Sequence, residues 1–142
     1  MQLNIKKSEF YLLNGSAAVK VDSGAIEIIG APVRSGEQIK VPVGKKIPLL
    51  GIEDAVVTIA APEEALTKME TSSIPAEWDE LAASIAAEKK PGNLYKILVL
   101  GEVDTGKTFF STYLANRLLA KVGKTAILDC DTGQSDIGCP GT

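Results

Sequence analysis

Short apolar runs recur along the first half of the chain: Leu3 to Lys6, Phe10 to Leu13, Ala17 to Val21, Ala25 to Ile29, Ile39 to Val43, Ile47 to Leu50 and Val56 to Ile59. Runs this short, with β-branched residues and partial alternation, predict β-strands whose side chains alternate between two faces. Asn14-Gly15-Ser16, Asp22-Ser23-Gly24, Ser35-Gly36-Glu37 and Gly51-Ile52-Glu53-Asp54 punctuate them as turns. Many short, evenly spaced strands predict a small antiparallel sandwich or barrel over residues 1–75. The stretch Pro62 to Glu70 fits either a helix or a further strand closing that domain.

From Pro75 to Lys90 the period changes to that of a helix, with Trp78, Leu81, Ala82, Ile85 and Ala86 on one narrow stripe. Glu77, Asp79 and Glu80 occupy its first turns, where acidic side chains suit the helix dipole. Trp78 reads as a packing anchor rather than a base-stacking platform. Lys89-Lys90-Pro91-Gly92-Asn93 breaks the helix, so residues 76–93 read as a linker with a domain boundary in that break.

Beyond it, Tyr95 to Leu100 is an apolar run of strand type. Lys107 to Val122 predicts a helix with Phe110, Leu114, Leu118 and Val122 on one stripe and Gly123 as its stop. Thr125 to Leu128 is a second strand-type run. Strand, loop, helix and strand make one βαβ unit. The predicted fold class is therefore mixed: an amino-terminal all-β sandwich or barrel, then the start of an α/β domain over residues 94–142, which Gly101 to Thr108, fitting G-x-x-x-x-G-K-[ST], marks as of P-loop NTPase type. A parallel sheet this small cannot bury both faces. It reads as truncated, the chain being a fragment or its sheet being completed by a partner chain or oligomer.

Between the first strand-type run and the helix lies Gly101-Glu102-Val103-Asp104-Thr105-Gly106-Lys107-Thr108, which fits G-x-x-x-x-G-K-[ST]. Glycines permit positive φ and close backbone approach, so successive N–H groups can turn toward phosphate oxygens. Lys107 would reach the β- and γ-phosphates and the Thr108 hydroxyl would hold Mg²⁺, and the whole stretch from Gly101 through Phe109 is expected to bind the nucleotide. The helix N-terminus adds partial positive charge at the same place.

Apolar residues make up 45% of the chain, a proportion typical of a globular core. The net charge of −3 supplies no global positive field, so a nucleic-acid substrate would need a local basic site. No apolar run is long enough to span a membrane and the amino terminus lacks a signal-peptide pattern, giving an expectation of a cytoplasmic protein, or a nuclear one in a eukaryote. Cys130 and Cys139, with no histidine in the chain, make a poor zinc site and receive no function.

The run at 125–128 leads into Asp129-Cys130-Asp131-Thr132-Gly133-Gln134-Ser135. On an extended strand Asp129 and Asp131 point to the same side, at the carboxyl end where open α/β sheets bind ligands. One carboxylate could order Mg²⁺ or its waters and the other accept a proton from an attacking hydroxyl.

With these motifs the chain resembles the polynucleotide 5′-hydroxyl kinases of RNA 3′-end formation, tRNA splicing and pre-rRNA processing. Gly101, Asp104, Gly106, Lys107 and Thr108 match that family's G-P-x-D-x-G-K-[ST] loop. Asp131, Gly133, Gln134 and Ser135 match its D-x-G-Q-S stretch, and Pro140, Gly141 and Thr142 the P-G-T after it. Gly24 to Gly30 is similar to the family's G-x-x-E-x-x-G element in an amino-terminal β domain.

The resemblance implies an ATP-grasping site and transfer of the γ-phosphate to the 5′-hydroxyl of RNA or DNA. By matched position, Lys107 would stabilise the transferring group and Thr108 would bind Mg²⁺. Asp131 would be the hydroxyl-activating base, Asp129 would support the metal and Gln134 would position substrate or water. Glu27 and Lys46 are candidate contacts to the nucleotide base, against the alternative of plain solvated surface charges. RNA-processing proteins are the implied partners. Glu102 departs from the family's usual proline, and the lid arginines and RNA-gripping surface of the family have no counterpart here. The 142 residues alone are therefore expected to bind nucleotide weakly and turn over little. Competing readings are a nucleotide-binding scaffold in an RNA-processing complex, a GTPase or metabolic P-loop enzyme, and a β domain serving mainly as an interaction module with an exposed apolar patch.

Overall fold

The computed structural model describes residues 1–90 and 92–129. Two compact units divide the chain, Met1–Pro75 and Ala76–Thr142.

The first unit is built from nine strands: β1 (Gln2–Ile5), β2 (Phe10–Asn14), β3 (Ala17–Ser23), β4 (Ala25–Ile28), β5 (Ala31–Arg34), β6 (Gln38–Val41), β7 (Lys46–Gly51), β8 (Ala55–Ala60) and β9 (Leu66–Met69). They form two antiparallel sheets, ordered β1-β8-β3-β6 and β5-β4-β7-β2-β9. The alternation along each strand explains the core. Ile5, Val19, Val21, Val41, Val57 and Ile59 from one sheet join Tyr11, Leu13, Ile26, Val33, Ile47 and Leu49 from the other in a single buried cluster.

The ambiguous stretch after Pro62 is one 3₁₀ turn, Glu63–Ala65, followed by β9, which pairs with β2 from Phe10↔Met69 to Leu13↔Leu66. The strand β5 is absent from the sequence expectation. Its four residues include Pro32 and bury only Val33, which suits an edge position and leaves almost no hydrophobic signal. Two glycines are held by close backbone approach. A Cβ on Gly24, at φ 73°, would stand 2.1 Å from the Asp54 carbonyl oxygen, and one on Gly51 would stand 2.2 Å from that of Lys6.

The second unit contains α1 (Ala76–Glu88) and α2 (Lys107–Val122). Ala82 is fully buried against Leu114 and Leu118, with Ile85, Ala86, Phe110 and Val122 packed around them. Leu81 stands outside this seam and is 43% exposed, so the stripe is narrower than the sequence suggested. Gly123 ends α2 in the left-handed region at φ 80°, its N–H donating to Leu119 O at 3.0 Å.

The two strand-type runs flanking α2 correct the sequence reading. Residues 95–100 and 125–128 carry no regular secondary structure and join no ladder among the described residues. A strand exists only as part of a pair, and local apolar character cannot supply the neighbour. Leu94, Leu98, Leu100 and Leu128 accordingly lie exposed. An open apolar cavity of about 390 Å³ lies in this unit, lined by Ile85, Tyr95, Ile97, Leu114, Leu118 and Ile127 among others. No helix among the described residues is long and apolar enough to cross a membrane.

Candidate functional site

The loop Gly101–Gly106 is exposed throughout and feeds directly into α2. Its path depends on two left-handed residues, Asp104 at φ 60° and Gly106 at φ 81°. Aspartate tolerates that region better than most side chains, and glycine adopts it freely. Gly106 is the N-cap of α2 and offers no side chain to it. The first helical bond runs from the Phe110 N–H to Gly106 O at 2.9 Å. The N–H groups of Lys107, Thr108 and Phe109 precede it and have no intrahelical acceptor, so the helix opens with donors facing outward.

Two side chains tighten the loop. Thr105 Oγ1 donates to Glu102 O at 2.8 Å and Lys107 Nζ donates to the same oxygen at 2.6 Å. A Cβ on Gly101 would fall 2.7 Å from Thr105 Oγ1, so the first glycine leaves room for that hydroxyl. In the first turn Thr112 Oγ1 donates to Thr108 O at 2.8 Å, while the Thr108 side chain stays exposed. Val103 is 80% exposed and Glu102 also faces solvent. The arrangement suits the phosphates of a nucleotide: a lysine ammonium, a hydroxyl and unpaired N–H groups lie together with no bulky side chain above Gly106.

Behind the loop stands an aromatic group that the sequence pattern did not reveal as one. The Trp78 ring meets Phe109 at 6.0 Å, Phe110 at 4.7 Å and Tyr113 at 5.5 Å between centroids. Arg117 bridges the helices, its Nε 2.7 Å from Asp79 Oδ1 and its Nη2 2.9 Å from Asp79 Oδ2. Arg117 Nε also donates to Tyr113 Oη at 3.1 Å. Burial pushes the Tyr113 phenol up to about 12, with the arginine beside it pulling the other way.

Asp129 is half-buried and closes the described part of the chain. Asp131 and Gln134, like Cys130 and Cys139, lie outside the described residues. Among the described residues there is no group of three or more acidic or cysteine side chains that could hold a metal ion.

In the first unit, Glu27 corrects the alternative of a solvated surface charge: it is 6% exposed, within β4 and between its register partners Pro32 and Leu50. Lys46 is exposed at the start of β7 opposite Asn14. Lys46 and Leu50 lie an even number of positions apart along β7, so Glu27 and Lys46 share one face of the five-stranded sheet. Asn14, on that face too, was missed by sequence reasoning. Its Nδ2 donates to Ala65 O at 3.3 Å while its buried Oδ1 has no partner.

Residues 101–142 match the family described as mRNA cleavage and polyadenylation factor CLP1 P-loop. Over 72 residues the chain is 42% identical to the polyribonucleotide 5′-hydroxyl-kinase of Pyrococcus furiosus, covering 51% of this chain and 20% of that protein. The corresponding kinase of Methanocaldococcus jannaschii is 44% identical over 72 residues, covering 51% and 19%. A CLP1 homolog of Brugia malayi is 24% identical across 94% of this chain and 33% of its own length. The chain thus spans about a fifth of the archaeal kinases it matches. Among solved structures, Clp1p in its complex with Pcf11p shares the fold, with a TM-score of 0.64 over 84% of this chain and 29% of that one at 19% identity. Through its glycine loop and the residues that follow, the chain is similar to the CLP1 P-loop family and to archaeal polyribonucleotide 5′-hydroxyl-kinases.

Proposed function

We propose that this chain supplies the ATP-binding portion of a polynucleotide 5′-hydroxyl kinase. The observation carrying this reading is the convergence of Lys107 Nζ, the Thr108 hydroxyl and the outward N–H groups of α2 on one exposed glycine loop. Lys107 exchanges the Glu102 carbonyl for phosphate oxygens, and the helix N-terminus orients the triphosphate without further reorganisation. Thr108 and Asp129 would hold Mg²⁺; neutralising charge on the β- and γ-phosphate oxygens is the chemistry that ion supplies when bound. Asp131 takes the proton of the attacking 5′-hydroxyl and Gln134 positions the acceptor, both by sequence position. As the 5′-oxygen bonds to the γ-phosphorus, the bond to the β,γ-bridging oxygen breaks and ADP leaves. Glu27 and Lys46 are read as contacts to the nucleotide base. RNA-processing proteins are the proposed partners, and a cytoplasmic or nuclear site of action follows from that role.

The test uses the longest open reading frame carrying this segment, Mg²⁺-ATP labelled at the γ-phosphate and a 5′-hydroxyl RNA oligonucleotide. Label on the 5′ end, lost in Lys107→Ala and Asp131→Asn, is the expected result. ATP binding without transfer would replace the kinase by a nucleotide-holding scaffold. Transfer that survives Asp131→Asn would overturn the assigned base.

A further inference from the structure

We propose that Trp78 is a positioning residue for the phosphate-binding loop, setting the direction in which the first turn of α2 presents its donors. The inference rests on the nucleotide-binding reading above. Phe109 and Phe110 follow Lys107 and Thr108 directly in sequence, and both rings lie against the Trp78 indole, Phe110 edge-on at an interplanar angle of 71°. Tyr113, one turn further on and 1% exposed, completes the set. Edge-to-face aromatic packing fixes orientation as well as separation. The rest of the seam lies further along α2: Asp79 holds Arg117, and Ala82 meets Leu114 and Leu118. Within α1, the indole is therefore the ring that reaches the turn carrying Lys107 and Thr108.

That turn has little else to hold it. Gly106 gives no side-chain cap, and the loop before it is exposed on both sides of Glu102. Without the indole, Phe109 and Phe110 lose their aromatic partner, Phe110 keeps only its contact with the Ala82 cluster, and the opening turn of α2 can reorient. A displacement of about 1 Å at a phosphate contact lowers productive binding by up to about a hundredfold.

The experiment compares Trp78→Ala, Trp78→Phe and Ile85→Ala in the protein expressed from the longest reading frame, with ATP affinity read by calorimetry and unfolding midpoint read alongside. Ile85→Ala serves as the control, because it thins the same helix seam away from the first turn. Expected are an affinity about tenfold or more weaker in Trp78→Ala, substantial recovery in Trp78→Phe, and near-wild-type affinity in Ile85→Ala despite a lowered midpoint. Equal weakening in Trp78→Ala and Ile85→Ala would overturn the proposal, reducing Trp78 to general packing. Wild-type affinity in Trp78→Ala would overturn it while leaving the nucleotide site standing. Absence of ATP binding by the wild-type protein would overturn both readings. Should Trp78→Ala fail to fold, weaker affinity in a folded Trp78→Leu sustains the proposal and unchanged affinity there overturns it.

Discussion

The Lys107 ammonium donates to the backbone oxygen of Glu102 at 2.6 Å, so the loop's own carbonyl occupies the cation that phosphate would take. Replacing that neutral oxygen by an anionic one strengthens the hydrogen bond. Lys107→Ala is expected to weaken ATP binding by about 1.5–3 kcal/mol, a loss of about tenfold to a hundredfold. Because the loop is exposed, its unfolding midpoint should hardly move. Calorimetric titration beside thermal unfolding checks both halves.

Gly101 and Thr105 act as a pair, since a Cβ on the first would stand 2.7 Å from the hydroxyl of the second. Gly101→Ala therefore displaces the Thr105 hydroxyl from Glu102 O, the bond that Thr105→Val removes by another route. Each change should weaken ATP binding, and the two should be non-additive by about 0.5 kcal/mol or more in a double-mutant cycle. Simple additivity would separate the two residues.

Gly106 presents a different case, having open space where a Cβ would go but a φ of 81°. Gly106→Ala meets only conformational strain, about 1–2 kcal/mol, and Gly106→Asn should cost less because asparagine visits this region more readily. In the first unit, Gly24→Ala meets both strain and the Asp54 carbonyl at 2.1 Å. A loss of about 2–4 kcal/mol is expected there, against about 1 kcal/mol for Gly36→Ala, where nothing lies within 4 Å. Urea unfolding of the four variants ranks them.

The Tyr113 phenol is held up to about 12 from an ordinary value of 10.0, chiefly by burial. The folded state therefore binds this proton more tightly than the unfolded chain. Its stabilising contribution is intact below pH 10 and is lost as pH rises from about 10 to about 12. Tyr113→Phe should remove that slope, which unfolding curves of both proteins across the window would reveal.

Much of this was legible in the chain. The span of α2 follows from Phe110, Leu114 and Leu118 with Gly123 behind them, and strands such as β3 and β8 follow from their apolar alternation. The glycine loop announces itself through Gly101, Gly106 and Lys107. What stayed hidden depends on partners distant in sequence. Residues 95–100 look like a strand in isolation, yet pairing is a property of two segments. The burial of Glu27 comes from its place within β4 beside Leu50 and Pro32. The bond from Thr105 to Glu102 joins two positions at which the motif accepts any residue, so no pattern could flag it.

The order in which the strands pair also fixes when the first unit can fold. β9 pairs with β2 and β8 with β1, so each sheet has an edge pairing whose partners are fifty or more residues apart. On the ribosome, β1 must wait unpaired until Ala55–Ala60 has emerged, and β2, though already able to pair with β7, keeps one edge open until Leu66–Met69 follows. Truncations ending before β9 would leave the edge of β2 open, and they should be recovered as aggregates or protease-sensitive chains rather than as a smaller folded core.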